Sequence, residues 1–569
     1  MYRQGLGDCF LLAFPTNDPD KPHYVLIDCG IHAREDEGPA RLLRVMQHLR
    51  DATGAHLDLV VATHEHADHL SGFVQNQSPF LQDEFSIGAL WVAWTEKAGD
   101  ARADELRQKR GAARELIDQA LEECKKRRGA LGARALADQI AESNDFEPPA
   151  ADSFDSVAVQ KILERLAPAS IELRHYRDSS FQPLPAAAAR KSKKPRAPSS
   201  NELALALLKA KAGDVVFCEP GQVLAMNGVA NVRAYVLGPP RKIELLKKDL
   251  PTKVRGAGDR DHEVYKEVYL SGGAGSLALA LSPALGLDST PGGALLPDDW
   301  HYPFQAAWRR CFTIDEKGNI QWDSGQQPVP DETQRMITEG YLDRDSSWRR
   351  IDADWLASVS QLALNLDSDT NNTSLVLAFE CGPPGQGQVL LFPGDAQVGN
   401  WLSWRDRKYG PRDRALTADD LLSRTLIYKV GHHGSHNATL RRDPRDTPRT
   451  DELGVPYGLE LMNDIVALIP VDWAAAQKKM PNPWRMPHEP LYRRLREKSR
   501  RRVLRSDSQL HPLDAAREEN DLAPPETSWT GVPGLTGLKW RRSAESFAPD
   551  EGTAGPLYYD IAIPLEAEG

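Results

Sequence analysis

Short apolar blocks, each running into a cluster of polar residues, recur along this chain. The clearest are Leu57-Asp58-Leu59-Val60-Val61-Ala62, Val389-Leu390-Leu391-Phe392, Leu426-Ile427-Tyr428-Lys429-Val430 and Ile465-Val466-Ala467-Leu468-Ile469. Runs this short, rich in Val, Ile and Leu, predict buried strands rather than amphipathic helices. Between about 98 and 168 the pattern changes to Ala, Leu, Glu, Lys and Arg at helical spacing, with Ala112–Leu121 representative. That stretch predicts a helical insertion after the strand around Trp91-Val92-Ala93-Trp94, serving as a cap or as a partner-binding surface. Ala186 to Ser200 has no apolar periodicity and reads as a disordered basic loop. Strand-like chain resumes at Asp214–Phe217 and Val232–Leu237, which ends in Gly238-Pro239-Pro240. Residues 241–360, rich in Asp, Gly and Trp, form a second insertion that we expect to act as a lid. The tail Leu557–Ile563 alternates like a strand returning to the sheet.

The polar clusters that end the apolar blocks carry the chemistry. Thr63-His64-Glu65-His66-Ala67-Asp68-His69 places four metal-ligating side chains within six residues, directly after a predicted strand. Asp68-His69-Leu70-Ser71-Gly72-Phe73 then looks like the start of a helix. Imidazole with carboxylate suits a divalent transition metal, zinc above all. One ion cannot use so many neighbouring ligands in tetrahedral geometry, so two metals are the natural expectation; the competing reading is a histidine-rich surface loop. His64 and His66 alternate along extended chain and so point to one side. A second strand stops at Pro393-Gly394-Asp395, and a third runs into Gly431-His432-His433-Gly434-Ser435-His436. Three strand-end clusters of one chemistry are hard to explain by accident.

With these motifs in view, the chain resembles the metallo-β-lactamase superfamily. The resemblance implies an α/β fold, an αββα sandwich, here with two large insertions. Its core would comprise residues 1–95, 203–240 and 361–510, interrupted by 96–202 and 241–360 and followed by a C-terminal extension, 511–569, returning to the sheet. It further implies that His64 and His66 bind one metal, that Asp68 and His69 bind the other, and that Asp395 bridges the two. One of His432 and His433 would complete the second metal's shell; the other would face the substrate and protonate a leaving group. Gly7–Leu12, Leu26-Ile27-Asp28-Cys29-Gly30, Asn372–Leu377 and the His-His-Gly-Ser motif are similar to the ComEC-type branch. So is the later order of Ile465–Pro470, Pro487-His488-Glu489-Pro490 and Arg502–Asp507. Asp68, His432 and His488 are the catalytic candidates, with Ser435 and His436 as substrate contacts. Two departures stand out. ComEC-type domains usually carry aspartate where this chain has His66. No histidine fits the family's third motif either: His175, His262 and His301 lie in the interval, but none follows a clear buried strand and glycine exit.

Composition adds limits. The chain has 569 residues, a net charge of −11, a pI near 5.8 and 41% hydrophobic residues, ample for a large core. No apolar run approaches membrane-spanning length, Met1 is not followed by a signal-peptide pattern, and the six cysteines lie far apart. These features predict a cytoplasmic protein with reduced thiols and no membrane partner.

A dinuclear Zn²⁺ site, with Mn²⁺ as the alternative ion, acidifies water and stabilises charge on attacking and leaving oxygens. The branch resemblance and the basic stretch 485–505, with about seven net positive charges, point to a phosphodiesterase or nuclease. Arg493, Arg494 and Lys498 on that stretch are the expected phosphate contacts, so nucleic acid is an expected partner. The acidic whole argues the other way. A hydrolase of a small ester, lactone or phosphorylated metabolite is the second expectation. A non-catalytic protein whose insertions bind a protein partner is the third.

Overall fold

A computed structural model describes residues 1–18, 20–32, 35, 37–126, 199–249, 312–314, 320–322, 331–340, 366–410, 415–443, 455–477, 484, 486–507, 538–543, 545–547 and 555–563. The basic run Arg190–Lys194, His175, His262, His301, the loop Met480–Pro483 and most of the second insertion lie outside the described residues, so the lid expectation does too.

The apolar blocks form strands in two mixed sheets. The first sheet has five strands in chain order: β1 (Cys9–Phe14), β2 (His23–Cys29), β3 (His56–Ala62), β4 (Ser86–Ala93) and β5 (Ala212–Cys218). β1 and β2 are antiparallel, with Cys9 opposite Cys29, and the remaining neighbours are parallel. The second sheet takes β6 (Val223–Ala225), β7 (Val232–Gly238), β8 (Val376–Cys381), β9 (Gln388–Phe392), β10 (Thr425–Lys429), β11 (Val466–Ile469) and β12 (Val503–Arg505), again side by side in chain order. β6 to β9 are antiparallel to their neighbours, and β9 to β12 run parallel.

Strand periodicity sorts the side chains into layers. Phe10, Ile27, Leu59, Val61 and Trp91 of the first sheet share one buried cluster with Val236, Phe379, Phe392, Leu468 and Leu504 of the second, so the sheets face each other across a common core. The opposite face of the first sheet packs against α1 (Gly38–Thr53), α2 (Ala67–Val74) and α4 (Ser200–Lys211), through Leu42, Val45, Phe73, Leu203 and Leu207. The outer face of the second sheet is covered by α5 (Val398–Trp404) and α6 (Glu489–Lys498), through Trp401, Trp404, Leu491 and Leu495. Each such buried aliphatic or aromatic side chain contributes about 1.5–3 kcal/mol of transfer free energy. The expected helix of the first insertion is present as α3 (Ala101–Lys126). Among the described residues no helix is long and apolar enough to cross a membrane.

One expectation changes. The C-terminal strand Tyr559–Ala562 pairs with Lys539–Arg542 instead of entering either large sheet, and its segment meets the N-terminus through the isolated bridge between Tyr2 and Tyr558 and flanking backbone hydrogen bonds from Arg3 to Leu557 and from Tyr559 to Met1. Tyr2, itself buried, precedes β1, so that bridge ties the chain ends together without extending the five-stranded sheet.

The layered packing brings the carboxyl ends of β2, β3, β9 and β10 to one edge, where loops in α/β folds gather ligands. Close backbone approach fixes that edge. A Cβ placed on Gly30, just after β2, would lie 2.6 Å from the Ala67 carbonyl oxygen and nearer still to the backbone at Asp68 and His69. Only glycine lets the hairpin press against the start of α2. Gly30→Ala is therefore expected to lower unfolding free energy by about 1–3 kcal/mol, as overpacking does elsewhere. Urea unfolding measures it, and wild-type stability would refute the contact.

Candidate metal centre

Asp68, His69, Asp395 and His433 are all buried, and each offers one ligand atom within 4.8 Å of the others. Asp68 and His69 sit in the first turn of α2, directly after the loop that leaves β3. Asp395 follows β9 through Gly394, whose φ of 56° suits a glycine, and His433 follows β10. His69 Nε2 stands 3.2 Å from Asp395 Oδ2 and 3.8 Å from Asp68 Oδ2; His433 Nε2 stands 2.8 Å from Asp68 Oδ2 and 3.8 Å from Asp395 Oδ2. A tetrahedron of zinc bonds to nitrogen and oxygen has edges of about 3.3–3.6 Å. The four separations straddle that value. His69 Nε2 and Asp395 Oδ2 are also buried without a hydrogen bond, a state that polar atoms rarely occupy unless something else binds them. The donor set fits a divalent transition metal.

Three of these four side chains are oriented from behind. His69 Nδ1 lies 2.7 Å from Asp28 Oδ2, and His433 Nδ1 lies 2.6 Å from the Pro470 carbonyl oxygen. An acceptor on Nδ1 fixes the proton there and turns Nε2 to the centre. Asp28 also accepts from the Thr63 N–H at 2.8 Å and the Thr63 hydroxyl at 2.7 Å. Asp395 Oδ1 is engaged by the buried Lys429 ammonium at 3.0 Å and by the His432 N–H at 3.1 Å, which leaves Oδ2 for the cluster. Lys429 also reaches Asp8 Oδ2 at 2.6 Å and the Gly394 carbonyl at 2.8 Å. The Asp395 loop is stapled by Ser374 Oγ, which accepts from the Asp395 N–H at 3.1 Å, and by Asn372 Oδ1, which accepts from the Gln397 N–H at 3.1 Å.

Of the histidine pair, His433 is the one that joins the buried group that could hold an ion, and His432 is not in it. Both residues are left-handed, with φ of 46° and 52°, and so is Asp28 at 54°. Each such non-glycine conformation costs about 1–2 kcal/mol. The anchors just named hold them there. His432 instead directs Nδ1 to Ser435 Oγ at 2.9 Å. The exposed His436 packs edge-on against His488, with ring centres 6.0 Å apart. The His488 N–H donates to the Gly434 carbonyl at 2.8 Å, which ties the start of α6 to the histidine turn.

His64 and His66 form a second pair. His64 Nδ1 faces Thr63 Oγ1 at 3.1 Å, and because that hydroxyl donates to Asp28, the ring proton sits on Nδ1. His64 Nε2 then faces His66 Nδ1 at 3.0 Å. His66 Nε2 lies 3.5 Å from Asp367 Oδ1. Among the described residues no third His, Cys, Asp or Glu completes a metal-sized group with both imidazoles.

The phosphate-contact candidates are already engaged within the protein, the two arginines with acidic side chains. Arg493 pairs with Glu489 at 2.5 Å; Arg494 pairs with Glu460 and with Glu497; Lys498 Nζ donates to the Glu460 carbonyl at 2.7 Å and to Asn463 Oδ1 at 3.0 Å. Further along, Arg500 pairs with Asp464 at 2.5 Å. These pairs lower the local positive charge on which the nucleic-acid expectation rests. Asp8, Asp28 and Lys429 carry structural roles that the motifs did not assign. The available signal was a lone charge beside or inside an apolar run, which must be paired if buried.

Protonation follows from the same contacts. Burial, reinforced by His69 and His66, holds His64 well below the ordinary histidine value, and burial pushes His432 down to about 4 against the pull of Asp395. Burial would also lower His69 and His433. In both it is outweighed: Asp395 and Asp68 raise His69 well above 6.5, and the hydrogen bond to Asp68 with the charge of Asp395 raises His433. Burial would raise the Asp395 carboxyl, but Lys429 and His69 hold it well below its usual range. In the metal-free protein, then, His69 and His433 carry protons that favour folding below pH 6.5 and whose contribution is lost as pH rises through their raised values. A cation must displace those protons, while His64 and His432 are already neutral. Zn²⁺ loading at pH 7 is expected to release at least the His69 proton, with affinity climbing as pH rises above 6.5. Calorimetry in buffers of differing ionisation heat reads this release; an affinity flat between about pH 6 and 8 would contradict the assignment.

Searches against protein-family models, curated proteins and solved structures return no match for this chain. The chemistry of the site therefore stands on its own residues.

Proposed function

We propose that this protein is a metal-dependent hydrolase of the metallo-β-lactamase type, acting on a phosphodiester. One observation carries the reading: Asp68, His69, Asp395 and His433, drawn from segments up to 365 residues apart, meet in one buried group of tetrahedral dimensions. Two sheets sharing a core, with helices on their outer faces, support the αββα sandwich that the motifs resemble. The fit of imidazole and carboxylate favours zinc, with manganese as the alternative. A bound divalent cation would supply Lewis acidity and an acidified water at neutral pH.

The chain's own residues set up the rest. Asp28 and Pro470 fix the tautomers of His69 and His433. Lys429 neutralises the Asp8 and Asp395 carboxylates. His64, held neutral by burial, and His66 form an imidazole pair fit to hold a second ion weakly. His432, kept neutral at pH 7 and only partly buried, is the group positioned to exchange a proton with bound substrate, with Ser435 steering its ring.

A second reading, hydrolysis of a small ester or phosphorylated metabolite, is favoured by the ion pairs of Arg493 and Arg494 and the hydrogen bonds of Lys498 within the protein. Substrate panels separate the two. Zinc- or manganese-loaded protein is expected to cleave bis-(p-nitrophenyl) phosphate and single- or double-stranded DNA or RNA. Asp68→Ala, Asp395→Ala and His433→Ala are each expected to lower kcat by at least about 100-fold, the equivalent of about 2.7 kcal/mol of lost transition-state stabilisation. Cleavage of the generic diester with no polynucleotide turnover moves the substrate to the second reading. Full activity in Asp395→Ala would end both.

A further inference from the structure

Glu65 lies between His64 and His66 in the loop that leaves β3, and its side chain meets α3 while the two imidazoles meet each other. There it is 3% exposed, yet it is not in apolar surroundings. Two arginines of α3 meet it: Arg114 Nη1 at 2.7 Å from Oε1 and Arg110 Nη1 at 3.3 Å from Oε2. Both guanidinium groups are themselves buried. Arg110 also faces Glu96 at 3.6 Å, and Arg114 faces Glu202 at 3.6 Å. The Glu65 carbonyl accepts from Asn201 Nδ2 at 3.4 Å. Two cations and three carboxylates thus join α3, the start of α4, the turn after β4 and the ligand loop. Apolar packing of Ala103 and Leu106 on Trp94 seats the first turns of α3 beside them.

We propose that Glu65, with Arg110 and Arg114, is a positioning device that makes divalent-cation binding at His64 and His66 depend on docking of the helical insertion. This rests on the metal reading above and adds a coupling to it. Among the described residues His64 and His66 fall in no metal-sized group of three or more, and Glu65 is the residue that joins the two. The group of Asp68, His69, Asp395 and His433 is anchored instead by Asp28, Pro470 and Lys429. The first insertion is therefore part of the site's support, and whatever loosens α3 weakens one ion and spares the other.

Competition titration of the full chain with Zn²⁺ against a chromophoric chelator, together with Co²⁺ absorption spectra, tests this. Wild type is expected to take up two ions of unequal affinity. Glu65→Gln and Arg114→Met are expected to weaken the looser ion about 10- to 100-fold and to alter its Co²⁺ spectrum, leaving the tighter ion unchanged. Arg114→Lys, which keeps the charge, is expected to restore most of the loss. Folded Glu65→Gln and Arg114→Met proteins that bind both ions as wild type would overturn the proposal. So would wild type binding one ion only; wild type binding none would instead remove the hydrolase reading itself. If Glu65→Gln fails to fold, hydrogen exchange of wild type decides. Added Zn²⁺ is expected to protect the amides of Ala101–Lys126, and unchanged exchange there would refute the coupling.

Discussion

One buried ammonium group holds this site together. Lys429 sits at the end of β10 in the second sheet and reaches Asp8, just before β1 in the first, as well as Asp395 after β9. Burial alone would strip its charge; the two carboxylates outweigh burial and hold it above the ordinary lysine range. The converse is unequal. Asp395 is held well below its usual range, whereas at Asp8 burial wins and the carboxyl is raised. A buried charge that loses its partner is strongly destabilising. The lysine therefore fixes the spacing of the two sheets at the edge where the imidazoles converge, and it decides which oxygen of Asp395 faces them.

The strands and the ligand clusters were legible in the sequence because both are local. A continuous apolar run such as Leu57–Ala62 signals a strand buried on both sides, and four ligands in Thr63–His69 need no distant information. What the sequence could not resolve was relational. His432 and His433 are chemically identical neighbours, and the choice between them comes from two left-handed residues that turn one ring toward Asp68 and the other toward Ser435. Asp28 was visible only as an oddity at the end of an apolar run, and its partner His69 is 41 residues away. The charge run near α6 was legible as charge but not as chemistry. Its partners Glu460 and Asp464 come from a separate segment before β11. The tail was legible as a strand and not in its pairing, because the alternation of Leu557–Ile563 does not name a neighbour.

The first insertion changes meaning in the same way. Its helical spacing suggested a cap or an arm for a partner. Buried arginines aimed at the residue between two metal-type histidines make α3 continuous with the core. The two halves of the site then differ in kind. One half is held by the strands themselves and by Lys429; the other borrows its rigidity from a helix added to the fold.

The successive left-handed histidines also restrict which side chains could ever occupy that turn. A β-branched residue would clash with its own backbone there, and glycine or asparagine would satisfy the backbone but bring no imidazole. Histidine tolerates that torsional region better than most residues and supplies a soft nitrogen donor as well. At position 433 backbone sterics and donor chemistry favour the same residue, so replacement there is opposed from two independent directions.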